Sequence, residues 1–266
     1  MRENFPLSLE VIFEFEGGYS TLRSDPGNWT GGKVGVGELK GTKYGIAANS
    51  FPHLDIKNLT KAEAGEIYRT RYWNKVRCDQ LPDGVDLATF DPAVNSGPAR
   101  AAKWLQAALG VTQDGVVGPQ TVSAAVQTPD KITVVKKLCA KRLGFLQALS
   151  TWRTFGKGWL RRVTAVEAKA IAWAAAAAGK KPEAVLASES NKASTSAKSN
   201  AGGAAATGAG GGAAGTQVDP SSLDASAVAV LIALGLAIAA TIAMLAWRSH
   251  IQAQRARALS APAMEG

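Results

Sequence analysis

The spacing of apolar residues predicts a mostly helical structure for the first 178 residues. A first helix is predicted from Pro6 to Glu16, because apolar positions recur there and the pair Gly17-Gly18 follows as a stop signal. Apolar residues three and four positions apart predict four further helices, which begin after Thr60 and after Pro98 and cover about residues 130–151 and 158–178.

A glycine-rich segment, Asp25–Gly45, separates the first helix from the second. Within it, Lys33–Leu39 alternates polar and apolar residues, which predicts a small β-hairpin. The predicted fold class is therefore α+β, mostly helical, with one small β insertion.

The C-terminal third has a different composition. Residues 179–224 are rich in Ala, Gly and Ser, which predicts a flexible linker. The uncharged stretch that follows predicts a transmembrane helix at 225–247, since the 22 residues from Ser226 to Trp247 at about 1.5 Å each span roughly 33 Å. Residues 248–266 form a short basic tail.

The topology of this helix is left open by the sequence. Arg248, Arg255 and Arg257 follow it, which favours a cytoplasmic tail and an external N-terminal part. Charged residues interrupt the apolar positions of the first helix, so no conventional signal peptide is expected to export that part.

The charge and the histidine content of the chain limit the kinds of ligand and of catalytic site that are expected. Residues 1–178 contain 23 Lys+Arg against 16 Asp+Glu, so this region suits an anionic polymer such as nucleic acid or cell-wall material. Nucleic acid is disfavoured because no dense basic run with interleaved aromatic residues and no nucleic-acid motif occurs. With His53 and His250 as the only histidines, no multi-His metal site is expected, and no cofactor is predicted.

Two carboxylates near the first glycine turn are the candidate catalytic pair. Glu16 ends a helix beside Phe13 and Phe15, where apolar surroundings and the helix dipole favour its protonated form. Asp25 lies nine residues later in a polar turn, where it is expected to stay ionised. Two carboxylates in contrasting environments are typical of a glycosidase, and the alternative is a surface Glu and a turn-forming Asp.

The surrounding motifs resemble glycoside hydrolase family 108. Glu16-Gly-Gly-Tyr19, Asp25-Pro-Gly27, Gly41-Thr-Lys-Tyr-Gly-Ile46, Leu59-Thr-x-x-Glu-Ala64 and Ile67-Tyr-x-x-x-Tyr-Trp73 occur in the family's order. Its members are N-acetylmuramidases of bacteria and phages with a lysozyme-like α+β fold, so the resemblance implies a muramidase domain at residues 1–97 with Glu16 as the catalytic acid.

A weaker similarity connects the chain to phage-type lysozymes, whose pattern is Glu, eight residues, Asp, five residues, Thr. Glu16 and Asp25 keep the first spacing, but Gly31 stands in the third place. Thr30, one position early, and Thr42 are the candidates for that role. Three aromatic residues are further candidates for stacking on sugar rings, namely Tyr19, Trp29 and Tyr44.

Residues 98–178 resemble peptidoglycan-binding domains. The motifs are Trp104-Leu-Gln-x-x-Leu-Gly110, Asp114-Gly-x-x-Gly-Pro-x-Thr121 and Phe155-Gly-x-Gly-Trp-x-x-Arg-Val163. The resemblance implies a helical wall-binding domain, whereas periodicity alone makes Trp104 and Leu105 core residues.

The sequence as a whole predicts an endolysin-like N-acetylmuramidase that cuts the β-1,4 bond between N-acetylmuramic acid and N-acetylglucosamine. Two alternatives stay open: a lytic transglycosylase, and a membrane-tethered peptidoglycan-binding protein without activity. The expected setting is phage or prophage lysis from the inner membrane, with peptidoglycan as partner and a holin or other lysis protein as a further candidate partner.

Overall fold

The structure is a computed structural model that describes the backbone of residues 4–210 and 225–260 and the side chains of residues 4–203 and 236–260. Within these ranges the chain forms two compact units, which divide between Pro182 and Glu183. Each unit is described separately below.

The first unit consists of seven α-helices and one two-stranded sheet. The helices are α1 (Asn4–Phe15), α2 (Lys61–Tyr68), α3 (Val85–Ser96), α4 (Pro98–Leu109), α5 (Pro119–Gln127), α6 (Lys131–Gln147) and α7 (Trp152–Ala177). Strands β1 (Thr42–Lys43) and β2 (Ile46–Ala47) pair antiparallel, with Thr42 opposite Ala47. The predicted α+β, mostly helical class is confirmed.

Helix α2 begins with a capping box, directly after Thr60 as predicted. Thr60 Oγ1 accepts a hydrogen bond from the Glu63 backbone N–H at 3.2 Å, and the Glu63 carboxylate accepts one from the Thr60 N–H at 2.8 Å. This reciprocal arrangement satisfies two backbone donors that the first turn of a helix leaves without partners.

Helix α3 is the centre of the core, and periodicity does not predict it. All residues from Val85 to Ala93 are buried, so the helix has no polar face to produce an amphipathic pattern. Pro92 lies inside the helix and adds a local signal against it. Its Phe90 packs edge-on against Trp73 at 5.1 Å between ring centroids, and Trp73 packs in the same way on Phe5 of α1 at 5.2 Å.

The predicted β-hairpin at Lys33–Leu39 is wrong. This stretch forms turns, and the hairpin lies a few residues later, in β1 and β2. Gly35 and Gly37 have φ angles of 80° and 79°, in the left-handed region, which interrupts an extended strand. Only Leu39 of this stretch makes a bridge, to Trp29.

The predicted domain boundary at residue 97 lies inside the first compact unit, and a division into two domains there stays a prediction. Gly97 alone separates α3 from α4, and an ion pair joins Asp91 of α3 to Arg142 of α6. Residues on both sides of the predicted boundary therefore belong to one compact unit.

The second unit contains α8 (Pro182–Gly210) and α9 (Ala225–Ser260). The flexible linker predicted at 179–224 is thus replaced over much of its length by a helix, because Ala has the highest helix propensity and α8 has a partner. Leu186, Ala193 and Ala197 of α8 are buried. Ser190 Oγ of α8 donates a hydrogen bond of 3.0 Å to the Ala256 carbonyl oxygen of α9. The rest of the predicted linker, 211–224, lies outside the described residues.

The predicted membrane span at 225–247 falls in α9. Over the described ranges, no helix combines the length and the apolar character needed to cross a membrane. The side chains of residues 225–235 lie outside the described residues, so this finding leaves the transmembrane helix a prediction.

Candidate active site

Glu16 lies one residue beyond α1, at the entrance to an open turn. Its backbone N–H donates to the Ile12 carbonyl at 3.2 Å, which keeps it in helical geometry. Gly17 and Gly18 follow, and a Cβ built on either would meet no atom of the described structure within 4 Å. The Glu16 side chain is 20% exposed, so it is partly shielded and still reachable from this open space.

The main partner of Glu16 is Arg162 of α7. Nη1 of Arg162 donates a hydrogen bond of 2.9 Å to Oε1 of Glu16, and the guanidinium lies over the Phe15 ring at 5.1 Å from its centroid. Arg162 comes from the region predicted to bind the wall, and it therefore links that region to the candidate catalytic carboxylate.

Arg162 also belongs to a buried charge cluster. Its Nε donates a hydrogen bond of 2.9 Å to Oδ1 of Asp91, which is fully buried. Arg142, 3% exposed, donates to the other oxygen of Asp91 and, at 2.6 Å, to Oδ1 of Asn95. The cluster of Glu16, Asp91, Arg142 and Arg162 therefore contains two guanidinium groups and two carboxyl groups.

Asp91 and Arg162 favour each other's ionised forms. Burial disfavours the carboxylate of Asp91, but Arg142 and Arg162 outweigh it and hold the pKa of Asp91 below its ordinary value. Burial likewise disfavours the Arg162 cation, while Asp91 and then Glu16 raise its pKa above the ordinary value. The sequence prediction for the surroundings of Glu16 considered its aromatic neighbours and the helix dipole. It did not include Arg162, which contacts the carboxyl group directly.

The cluster is not fully satisfied. Nε of Arg142 and Nη2 of Arg162 are buried and have no hydrogen-bond partner among the described residues. Buried ion pairs are weak evidence for stability, because desolvation offsets much of their attraction. Two guanidinium N–H groups of the cluster that holds Glu16 thus have no partner among the described residues.

On its other side Glu16 approaches Gly45, which precedes β2. A Cβ on Gly45 would lie 2.8 Å from Oε2 of Glu16 and would also collide with the hydroxyl oxygen of Tyr68. That hydroxyl donates a hydrogen bond of 2.9 Å to the Tyr44 carbonyl. Burial, followed by the charge of Glu16, raises the pKa of Tyr68, so Tyr68 remains a neutral donor.

Asp25 is exposed and caps a single 3₁₀ turn, Pro26–Asn28. Its Oδ1 accepts a hydrogen bond of 2.8 Å from the Gly27 N–H. The turn-forming role considered as the alternative for Asp25 is therefore present, whether or not the residue also acts in catalysis.

Residues at the two ends of β2 approach the two segments that carry the candidate carboxylates. Gly45, before the strand, approaches Glu16, and Ala47, at its end, lies 3.8 Å from a Cβ built on Gly27 in the Asp25 turn. Both carboxylate-bearing turns are thus attached to one short strand.

The two candidate threonines have bonds within the glycine-rich segment. Thr30 Oγ1 accepts from the Glu38 N–H at 2.9 Å, and Thr42 Oγ1 donates to Asn28 Oδ1 at 2.7 Å. Buried Asn28 also donates to the Leu22 carbonyl at 3.0 Å. These contacts stabilise the turn region, and a role in positioning water remains a prediction for both threonines.

The three candidate aromatic residues differ in exposure. Tyr19 is 42% exposed, and its hydroxyl donates to the Lys40 carbonyl at 3.3 Å. Trp29 is half-buried, with its indole N–H donating to the Arg23 carbonyl at 2.9 Å. The half-buried Tyr44 packs against Phe13 at 5.3 Å between ring centroids. Tyr19 is thus the most exposed of the three residues.

The Trp104 to Thr121 motifs form a polar network inside the helical region. The Gln106 amide nitrogen donates to Asp114 at 2.6 Å, to Thr121 at 3.1 Å and to the Val116 carbonyl, and its oxygen accepts from the Gly115 N–H. This network fixes the loop before α5, so the motif has a structural role here.

Sequence reasoning missed Asp91, Arg142 and Arg162 as site residues. Arg162 appeared only as part of the last motif of the second region, and it is 146 residues from Glu16 in the chain. The only signal for these residues in the sequence is that each is a charged residue in a largely apolar helix. This signal does not tell which charged residues pair with one another, because the pairing depends on how the helices pack.

Comparisons with known proteins identify the family of the chain. The model of the family described as Glycosyl hydrolase 108 matches residues 9–97, and that of a family described as Predicted Peptidoglycan domain matches residues 100–164. The solved structure of SagA from Brucella abortus is 40% identical, with a TM-score of 0.55, over 65% of this chain and 97% of the SagA chain. The chain belongs to glycoside hydrolase family 108. No curated protein matches the sequence.

As a family 108 protein, the chain is a glycoside hydrolase that acts on peptidoglycan, and it carries a peptidoglycan-binding region after its catalytic region. Arg162 lies near the end of the second matched range and contacts Glu16 in the first. The two matched ranges therefore meet at the candidate active site.

Proposed function

We propose that the protein is an N-acetylmuramidase that hydrolyses the β-1,4 bond between N-acetylmuramic acid and N-acetylglucosamine, with Glu16 as general acid. The observation that carries the proposal is the position of Glu16: a partly shielded carboxyl group beside an open glycine turn, held by Arg162 at 2.9 Å. A general acid needs this combination of fixed orientation and access.

The proposed mechanism divides the two oxygens of Glu16 between two tasks. Oε1 accepts from Arg162, so Oε2, on the Gly45 side, is the oxygen that carries the proton for the leaving group. Negative charge develops on Glu16 as the proton leaves, and Arg162 stabilises it in place. Stabilisation that grows during the reaction lowers the barrier to bond cleavage.

Asp25 is proposed to act on water or on the cationic sugar from the opposite turn. Its support is the shared attachment of both turns to β2 and its exposed position. Thr30 and Thr42 in the same region are proposed to help position water, and Tyr19, Trp29 and Tyr44 to contact the sugar rings.

The test is cleavage of purified peptidoglycan by the full chain and by Glu16→Gln. Removing a general acid is expected to lower the rate by about 10² to 10⁴. Glu16→Gln keeps the size of the side chain and an oxygen that can accept from Arg162. Equal cleavage by both proteins, or by neither, would refute the assignment, and binding without cleavage by the wild-type chain would support the inactive wall-binding alternative.

A lytic transglycosylase is the second candidate, because one carboxyl group suffices for it and Asp25 has a turn-capping bond that accounts for its presence. Product analysis separates the two. A hydrolase releases a reducing muramic acid end, whereas a transglycosylase releases a 1,6-anhydro end. Asp25→Asn is expected to lower the rate strongly only in the hydrolase.

We also propose that the enzyme acts in phage or prophage lysis from the inner membrane, with residues 225–247 as its anchor and a holin or other lysis protein as partner. The support is the uncharged composition of that stretch. Fractionation of cells that express the full chain, followed by protease treatment of spheroplasts, tests both the anchoring and its orientation. Recovery of the intact chain in the soluble fraction would contradict the anchor.

A further inference from the structure

The beginning of α7 extends past the end of α1, toward the open turn beside Glu16. Two ion pairs fix the direction of the helices: Glu14 with Lys169 at 3.6 Å and Glu16 with Arg162 at 2.9 Å. Numbering rises along α1 while it falls along α7, so the helices run antiparallel. The residues of α7 before Arg162 therefore continue beyond Glu16 to the side where Gly17 and Gly18 lie open.

This part of α7 carries an aromatic row, which consists of Trp152, Phe155 and Trp159. The rings of Phe155 and Trp159 lie 5.7 Å apart between centroids, and those of Trp152 and Trp159 lie 6.2 Å apart. Phe155 is 54% exposed, so its ring is open to solvent beside the ring of Trp159. Phe155 and Trp159 stand seven and three residues before Arg162, on one face of the helix.

Two glycines shape this surface. A Cβ on Gly156 would lie 2.5 Å from the Trp152 ring, so this glycine lets the ring lie close to the helix. Gly158 stands four residues before Arg162, on the same face, and a Cβ there would meet no described atom within 4 Å. Gly17, Gly18 and Gly158 are thus all open to space that no described atom fills within 4 Å.

A basic row, Arg153, Lys157 and Arg161, runs beside the aromatic row. Its members are four residues apart, so they lie along one strip of the helix, and all three are exposed. Cell-wall glycan combines sugar rings, whose C–H faces stack on aromatic side chains, with peptide stems that carry carboxylates. The two rows match these two components of a single polymer.

We propose that the first three turns of α7 form a glycan-binding subsite, in which Phe155 and Trp159 stack on sugar rings next to the bond held at Glu16 and the basic row contacts the peptide stems. The seven residues from Phe155 to Arg162 span roughly 10 Å of helix, so the subsite adjoins the candidate cleavage point. The proposal rests on the muramidase function proposed above and names where that function holds the polymer.

The experiment measures binding and cleavage separately. Binding of the full chain is measured by titration calorimetry in the Glu16→Gln background, so that the glycan stays intact. The ligands are soluble uncross-linked glycan strands with their peptide stems and the same strands after the stems are removed. The variants are Phe155→Ala, Trp159→Ala, Trp159→Phe and the triple change Arg153→Gln, Lys157→Gln, Arg161→Gln. Val126→Ala on α5, 51% exposed, is the matched control.

Phe155→Ala and Trp159→Ala are each expected to weaken binding of both ligands by roughly tenfold, while Trp159→Phe, which keeps a ring, retains most of the affinity. The triple change is expected to weaken binding only to strands that carry stems. With Glu16 intact, the aromatic changes are expected to raise KM and leave kcat within about twofold. Val126→Ala is expected to match the parent chain throughout.

Unchanged glycan affinity in folded Phe155→Ala would overturn the subsite, and this exposed residue is the deciding one if Trp159→Ala does not fold. The same variants are also titrated with anionic lipid vesicles. If they lose vesicle binding while their glycan binding is unchanged, the subsite is overturned and the surface is assigned to a membrane. The result for Glu16→Gln cleavage is independent of these titrations, so failure of the proposed function and failure of the subsite are distinguishable.

Discussion

Arg162, in the last helix of the first unit, donates a hydrogen bond of 2.9 Å to Glu16, which lies at the end of the first helix. The same guanidinium bonds to Asp91 at 2.9 Å through a different nitrogen. The planar arrangement of donors in a guanidinium group lets this one side chain hold both carboxyl groups in place.

Arg162→Met is expected to lower kcat by roughly 100-fold with little change in KM, because Glu16 loses the group that orients it. Arg162→Lys is expected to recover only part of the loss, since an ammonium group does not reproduce the two-sided contact. Steady-state kinetics on soluble glycan strands measure both effects. Lys137→Met, at an exposed position on α6, is the control.

Asp91→Asn is expected to lower the free energy of unfolding by about 3–5 kcal/mol at pH 7, because two buried guanidinium groups lose their shared carboxylate. The pKa of Asp91 is lowered in the folded state, so its contribution to stability is present above its unfolded-state value of 3.8 and is lost as pH falls through the lower folded-state value. Urea unfolding at pH 7 and pH 3 measures both. Glu38→Gln, whose parent side chain is 76% exposed, is expected to change little.

Gly45→Ala is expected to lower cleavage at least tenfold. The added methyl group would lie 2.8 Å from Oε2 of Glu16, at a φ of 73°. Gly35→Ala is a matched control, since Gly35 has a φ of 80° and open space around it. Both changes have the same backbone cost of about 1–2 kcal/mol, and only Gly45→Ala touches Glu16. Equal activity of the two variants would contradict the close approach.

The stability of the first unit is expected to depend on pH through Asp86, which is not part of the cluster around Glu16. Burial raises its pKa from 3.8 to about 6, against the opposing hydrogen bonds from Asn4 and the Leu87 N–H, and nearby Asp83 raises it further. The protonated group therefore adds stability that is fully present below pH 3.8 and is lost as pH rises through about 6.

Asp86→Asn, which does not titrate, is expected to remove this dependence. Between pH 3.8 and pH 7, the wild-type chain should lose about 3 kcal/mol of unfolding free energy relative to the variant, since the pKa difference is about two units. Thermal unfolding of both proteins across this range is the measurement. Parallel curves would show that Asp86 keeps the same protonation in the folded and unfolded states.

The sequence by itself determined two things: the family of the chain, and those helix ends that depend on local signals. The glycine stop after Glu16 and the capping box at Thr60 depend only on neighbouring residues, so the C-terminal end of α1 and the first residue of α2 were predictable. The ordered motifs from Glu16 to Trp73 indicated family 108 before any contact was known. Alternation alone misplaced the hairpin, because it does not register that Gly35 and Gly37 adopt left-handed backbone conformations.

Tertiary structure decided the parts that depend on distant residues. Helix α3 is buried all round and has no amphipathic pattern, and α8 is a helix where composition predicted a linker, with buried contacts on one side. The contact of Arg162 with Glu16 spans 146 positions, and Asp91 is recognisable as its partner only once α3 and α7 are packed together. Local propensity acts over a few residues, whereas the environment of Glu16 is created by helices from the whole first unit.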